Sequence, residues 1–498
     1  MPATKRGDGF RLTPRDDARI HTVIASRPVE ARFIGLPSLV RFVPLALFAL
    51  AIPAIAVVPE LEISAAAMAV IVVVISTLIR PEVGVMFLLA LVPFSGIFAV
   101  SLGDFDLAPT EPLFAVFLVS WGLRSAVTHG VRLPDGRYLA PIATLLLLVM
   151  ASALGSTKLT LTLKESIKWL EILLIASFVS VYFRQANMIL VLLTVLLVAA
   201  SAEALYGVYQ FVTATGPAHF ALGPFIRAFG HFGQPNPFAG YLASVLPLAL
   251  VLIFVSPSRR YQAFAFVCTG IIGTAILMSF SRGAWLGLSV AFVAMLLSWR
   301  PSAARALALF AAVGLVLAIL GATNLMPPIL AERLGPVAEY FGVFDVRGVT
   351  PTPENFALIE RLAHWQAGWE MFLQNPIFGV GAGNYPVRYI DYSLPGWPDS
   401  LGHAHNYYLN MAAEAGFGAA LALIWVLGSI MATARAAFRR SSGFSRGLAL
   451  GLLGATAVFA VHSFFDNLLV NSMAIQIGVF LGLAMMLLDT GSTETAVG

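Results

Sequence analysis

Charged side chains are scarce in this chain. Asp, Glu, Lys and Arg together make up 11% of its 498 residues, where soluble domains carry about 25%. That deficit excludes an ordinary water-soluble globule. Cysteine is nearly absent: Cys268 stands alone inside an apolar run, so no intrachain disulfide can form and no redox compartment follows. The net charge of +4 is too small to suit a nucleic-acid partner. No internal repeat is visible, nor the paired Gly/Pro-broken helices that mark many secondary transporters. His403 and His405 share a face only in extended chain, and no third ligand stands beside them in sequence, so no metal is expected.

What the chain has in quantity is apolar length, with 59% hydrophobic residues. Runs of about 16–25 apolar residues are long enough to cross the hydrocarbon core of a bilayer. Such runs centre near residues 50, 70, 91, 119, 147, 174, 200, 246, 270, 290, 314, 420, 456 and 479. The expected fold is an all-α polytopic membrane protein with about 14 transmembrane helices, 12–14 being the range. The polar, arginine-rich residues 1–40 are too long and mixed for a signal peptide and read as a cytoplasmic, largely disordered basic tail. Residues 41–488 form the transmembrane domain and residues 489–498 a short cytoplasmic tail. Counting sides from an inside N-terminus puts most lysines and arginines on cytoplasmic connections. These include Arg80, Arg124, Arg184, Arg259, Arg260, Arg435, Arg439, Arg440 and Arg446. Moving the count by one span would put the cluster from Arg435 to Arg446 outside. Pro257, Pro301 and the Ser-Ser-Gly at 441–443 should close helices on the cytoplasmic side, while Pro93, Pro141 and Pro247 sit in or beside spans.

One long extracytoplasmic loop, residues 326–402, interrupts the pattern. Within it Leu358, Leu362, Trp365, Trp369 and Phe372 recur at helical spacing, and Asn375-Pro376 should end that amphipathic helix. A helix lying on the outer leaflet and one packed on the span tops both fit. The glycine-rich run from Gly379 to Asn384 lacks the strand–loop–helix setting of a phosphate cradle and reads as a flexible turn.

Chemistry gathers where the loop ends. His403, His405 and Asn406 stand at the mouth of an apolar run, and an imidazole can take a proton near neutral pH. Anchoring a helix end in the headgroup layer is the plainer alternative. Arg227 and Arg282 fall outside, against the charge bias. A guanidinium binds phosphate oxygens bidentately, so the two would suit a lipid-linked pyrophosphate, unless each merely snorkels to ordinary lipid phosphates. Glu203, Glu414, His462 and Asp466 are ionisable groups in or at the ends of spans, where charge is costly and function is the first thought. For Glu203 a structural pairing with an arginine or a hydroxyl fits as well.

The pattern resembles the O-antigen ligase/polymerase superfamily, membrane glycosyltransferases of bacterial surface-polysaccharide assembly. Four stretches carry the resemblance: Arg227 to Tyr241 with Asn236-Pro-Phe-Ala-Gly-Tyr; Ser281-Arg-Gly-Ala-Trp-Leu-Gly287; Arg361 through Trp365 and Trp369 to Tyr385; and His403-Ala-His-Asn406 with Glu414-Ala-Gly416. His462-Ser-Phe-Phe-Asp466 is a weaker fifth. Together they cover roughly residues 200–470. The ligase pattern is met by His405-Asn406 and Gly416 but not by Ala419, which leaves ligase and polymerase subtypes open.

The resemblance implies a GT-C-like fold in the bacterial inner membrane and an inverting glycosyltransferase. The donor would be a glycan on an undecaprenyl-type diphosphate, the acceptor a hydroxyl of a glycan or lipid. His405 would be the catalytic base, and Arg227 and Arg282 would hold the diphosphate. His403, Asn406, Asn236, Arg361, Glu414, His462 and Asp466 would support them. No metal, cofactor or nucleotide sugar is implied; the bilayer and other proteins of polysaccharide assembly are the implied partners. The competing class is a polytopic transporter or lipid-linked glycan flippase, which would spread polar residues through the membrane depth.

Overall fold

The computed structural model describes residues 59–97, 99–102, 105–128, 130–299, 313, 345–352 and 355–494. The expected basic tail, the spans centred near 50 and 314, and residues 326–344 of the long loop lie outside them. Two compact units divide the chain between residues 72 and 73. In the first, the described residues belong to the helix Pro59–Ile79.

The described residues of the second unit are mostly helical. Seven of them, among the described residues, are long and apolar enough to cross a membrane: Gly136–Gly155, Ala186–Val212, Pro235–Val255, Arg259–Met278, Arg282–Trp299, Tyr407–Arg440 and Gly443–His462. Shorter apolar stretches cover Ala67–Ile79, Pro81–Phe94 and Met473–Asp489. The helices Thr110–Val127 and Leu159–Tyr182 complete the set of long elements before residue 299. The protein is an all-α, multi-pass membrane protein, with two short hairpins as its strands among the described residues. The span expected around residue 91 is displaced: its helix runs Pro81–Leu91, and Pro93 turns the chain into a 3-10 segment at residues 92–94.

Helix ends follow local chemistry. Asp135 caps the helix Gly136–Ala151 by accepting the Arg137 N–H at 2.9 Å, and Ser258 caps Arg259–Met278 through the Tyr261 N–H. Pro235 occupies the first turn of its helix, where a missing N–H costs nothing. Val255 ends that helix two residues before Pro257, and Arg440 ends Tyr407–Arg440 just before residues 441–443.

Small residues let the helices meet closely. On Gly443–His462, a Cβ at Gly447 would lie 2.5 Å from Val255, and one at Gly451 would lie 2.9 Å from Leu248. This is the small-residue packing that replaces hydrophobic drive inside a bilayer. The antiparallel pair therefore sets the start of Pro235–Val255 beside the end of Gly443–His462. A second core joins Gly136–Ala151, Leu159–Tyr182, Tyr407–Arg440 and Met473–Glu494 around Leu145, Ile172, Leu423 and Leu481. Ion pairs tie other helix ends: Arg124 with Glu82, and Arg184 with Asp489 at 2.5 Å.

The helix of the long loop runs Phe356–Gln374, with Asn375 at its C-cap. Its buried face is Leu358, Ile359, Leu362, Ala363, Ala367 and Met371, while Trp369 is 53% exposed. It packs on the start of Tyr407–Arg440, with Gly368 against Ala404 and Leu409. The glycine-rich segment that follows is held rather than loose. Val380 N–H donates to the Ala413 carbonyl at 3.0 Å and Phe417 N–H to the Pro376 carbonyl at 2.9 Å. A Cβ at Gly379 would sit 2.3 Å from the Glu414 carbonyl oxygen. The expectation of a flexible turn gives way because backbone packs on backbone there, which only glycine permits.

Candidate active site

Arg227 follows a two-residue hairpin, Ala221–Leu222 with Phe225–Ile226. Its backbone N–H donates to Phe220, and the next residue, Ala228, donates to the Met278 carbonyl at 3.0 Å. The segment thus lies along the end of Arg259–Met278. The guanidinium is steered by the same neighbours: Nε donates to the Ser279 carbonyl at 2.8 Å, and a terminal nitrogen donates to Asn236 Oδ1 at 3.4 Å. Four residues after Met278 ends its helix, Arg282 opens the next one. Phe280 makes that tight reversal in a left-handed conformation, φ 50°.

His403 and His405 sit just ahead of the helix Tyr407–Arg440. Asn406 is its N-cap, and its side-chain oxygen accepts the N–H groups of Tyr408 and Leu409, both at 3.1 Å. That work is structural: it fixes where the preceding imidazoles stand. His405 itself holds φ 52°, a conformation unusual for a side-chain-bearing residue. Its N–H donates to His403 Nδ1 at 3.0 Å, so in the neutral ring His403 carries its proton on Nε2. That nitrogen lies 3.3 Å from Asp466 Oδ1, and His405 Nδ1 lies 3.9 Å from the same oxygen. Asp466 is 1% exposed. Tyr407 N–H donates to the Ser463 carbonyl at 2.8 Å, which joins the two segments.

Arg227, Asn236, Arg282, Arg361, His405 and His462 line one cavity of about 160 Å³, with Phe280, Gly283, Ala357, Glu360 and Phe465. Three guanidiniums against the single carboxylate of Glu360 make its wall net positive with the imidazoles neutral. His462 Nε2 reaches Ser281 Oγ at 3.5 Å. Glycine at 283 is required by that neighbour, since a Cβ there would lie 2.5 Å from the His462 ring. Two buried ring nitrogens, His405 Nε2 and His462 Nδ1, make no hydrogen bond with the protein.

Burial pushes the His405 imidazole down to about 3; His403 beside it adds to the fall, and Asp466 opposes it. His403 is lowered for the same first reason. Burial alone would raise the Asp466 carboxyl, but His403, His405 and His462 outweigh it, and the group sits below its ordinary value. The cluster therefore holds an ionised Asp466 under neutral imidazoles that resist protonation.

Two of the residues named from sequence serve elsewhere. Glu414 does not reach this cavity: it accepts the Tyr385 N–H at 2.9 Å and lines a separate space of about 110 Å³ with Glu165, Asn410 and Tyr407. Glu203 pairs with neither an arginine nor a hydroxyl. It accepts the His231 backbone N–H at 2.6 Å and meets His231 Nδ1 at 2.7 Å. The sequence reading also missed His364 and Glu360. His364 is 1% exposed and its ring lies 5.2 Å from that of His405. The available signal was its position one turn after Arg361 on the same helix. For a cation, the third ligand absent in sequence is present in space. Candidate ligand atoms of His403, His405 and Asp466 lie within 4.8 Å of one another, so among the described residues these three could hold a metal.

No curated protein matches the chain. One protein family does, and its span takes in Arg282, Arg361 and the His403–His405 turn while leaving out Arg227, His462 and Asp466. Residues 264–424 match the family described as O-Antigen ligase, which agrees with the resemblance that the sequence carries to the O-antigen ligase/polymerase superfamily.

Proposed function

We propose that the protein is an inverting glycosyltransferase that moves a glycan from an undecaprenyl-type diphosphate lipid onto an acceptor hydroxyl at the outer face of the bacterial inner membrane. The observation that supports this reading is one cavity lined at once by Arg227, Arg282, Arg361 and His405. Diphosphate leaves as an anion, so the donor half of the site needs fixed positive charge rather than an acid. The Arg227 guanidinium, anchored to the Ser279 carbonyl and to Asn236, offers that charge with little reorganisation.

The acceptor half needs a base, because a sugar hydroxyl must lose its proton as the new bond forms. In this reading the acceptor oxygen attacks the anomeric carbon, the bond from that carbon to the diphosphate oxygen breaks, and the proton passes to His405 Nε2. Asp466, close to Nδ1, then stabilises the imidazolium. Attack opposite to departure inverts the anomeric centre. A transporter would need polar groups through the membrane depth, whereas this constellation collects at one set of helix ends. Ligase and polymerase activities differ only in acceptor.

The test is reconstitution with a polyprenyl-diphosphate-linked glycan, following acceptor-dependent release of the diphosphate lipid. Folded His405→Ala should lose about 10²-fold or more of the rate, and Arg282→Ala should fall comparably. Normal surface polysaccharide from both folded variants would sink the reading. Shortened chains that are still anchored would identify a polymerase.

A further inference from the structure

A second cavity, of about 440 Å³, lies in the long loop, and the proposed function does not use it. Its wall joins Phe356, Glu360, His364, Leu394, Trp397 and Asp399. Glu360 belongs to both this cavity and the arginine-lined one, so the two share a boundary. Across that boundary the rings of His364 and His405 are 5.2 Å apart.

The lining mixes two chemistries. Phe356 and Trp397 meet at 5.2 Å between ring centres and present aromatic faces, and Phe356 is 46% exposed. Beside them stand the carboxylates of Glu360 and Asp399. His364 supplies the sharpest feature. Its Nδ1 lies 3.0 Å from the Glu360 carbonyl and 3.4 Å from the Tyr389 hydroxyl. Its Nε2 is buried and makes no hydrogen bond with the protein. A buried ring nitrogen left unmatched is costly and wants a hydrogen-bonding group. Hydrocarbon from a lipid tail has none.

We propose that this cavity is the docking subsite for sugar residues of the acceptor, with Trp397 and Phe356 as the platform for C–H faces, Glu360 and Asp399 accepting hydrogen bonds from hydroxyls, and His364 Nε2 hydrogen-bonding to a hydroxyl. The inference rests on the glycosyl-transfer reading and deepens it: donor diphosphate on one side of Glu360, acceptor saccharide on the other. Size agrees, since pockets of about 300–1,000 Å³ enclose small organic ligands. An acceptor held there presents its reactive hydroxyl toward His405 without crossing the arginines.

Photo-crosslinking in the full-length protein in its host membrane tests this. p-Benzoylphenylalanine replaces Phe356, a conservative aromatic exchange, and in a control replaces the exposed Trp369. After irradiation the purified protein is analysed by periodate–hydrazide staining and intact mass. Carbohydrate should be captured at position 356 and not at 369. Adding Trp397→Ala should cut the captured carbohydrate about tenfold. A phospholipid adduct at 356, or no carbohydrate there, overturns the subsite while leaving the arginine–histidine reading intact. Carbohydrate at 356 together with full transfer by His405→Ala would do the reverse.

Discussion

His405 carries a backbone strain of about 1–2 kcal/mol for its left-handed φ of 52°. The surrounding turn sustains it: the His405 N–H is held by His403, its carbonyl accepts from Trp365 Nε1 at 3.3 Å, and Asn406 caps the next helix. Phe280, the other left-handed residue on the cavity wall, sits beside Arg282. Strain of this kind persists where a site is over-determined. The same burial sets the pH response. A base works in its neutral form, and burial holds His405 near 3 and His364 near 4, far below the ordinary 6.5. The acid limb of kcat/KM, which reports the free enzyme, should therefore lie well below pH 6.5, leaving activity flat from about pH 5 to 8. Bound diphosphate adds negative charge beside the ring, so the limb in kcat should sit higher than that in kcat/KM. For stability the sign is the same: below pH 6.5 the unfolded chain takes up protons that the folded imidazoles refuse, so acid destabilises the fold. Above pH 6.5 these groups contribute no pH dependence. A kcat/KM profile that halves at 6.5 would refute the buried, neutral base.

At the scale of elements, the helix Tyr407–Arg440 is broken in character by Gly416, whose φ of 81° and ψ of 177° lie outside helical space. There the helix takes the glycine-rich segment against its backbone, and a Cβ on Gly416 would stand 2.1 Å from the Ile377 carbonyl oxygen. Gly416→Ala should therefore cost about 3 kcal/mol or more, from strain and overpacking together. It should lower the melting temperature in detergent and disturb His405 with it. Two residues on, a Cβ on Gly418 would find its nearest neighbour, the Leu148 side chain, at an ordinary 3.6 Å. Gly418→Ala should be neutral or slightly stabilising, as for an ordinary helical glycine. Equal melting temperatures for the two variants would remove the close-approach argument. Periodicity found the helix Phe356–Gln374, its stop at Asn375 and the buried Leu358 and Leu362, but not the small residues of its buried face. Trp369 lies out in the open, while Ala363, Ala367 and Gly368 face inward. Counting large apolar residues selects a stripe by size, but close helix contact is made by small ones.

For the whole molecule, the order of spans already sorts the chemistry. Helices that alternate in direction bring every second connection to one end, which is why Arg227, Arg282 and His405 could be grouped before any coordinates. Which residues touch within that end was not legible. Asp466 reaches His403, and Glu360 joins two cavities, through lateral helix packing that no local pattern encodes. The opposite ends carry Arg259, Arg260, Arg439 and Arg440, a full helix length from Met278 and Tyr407. The proposed function needs those ends in the cytoplasm and the arginine–histidine cavity at the outer face, the arrangement that the charge bias favours. Single-cysteine labelling decides it, starting from Cys268→Ser, since the chain has one cysteine and it is buried. Thr350 on the loop and Ser442 after Arg440 are both exposed. Thr350→Cys should react with a membrane-impermeant maleimide in intact spheroplasts, and Ser442→Cys only after permeabilisation. The reverse pattern would turn the cavity inward, out of reach of a glycan carried on the outer leaflet, and the transfer reaction would have no donor.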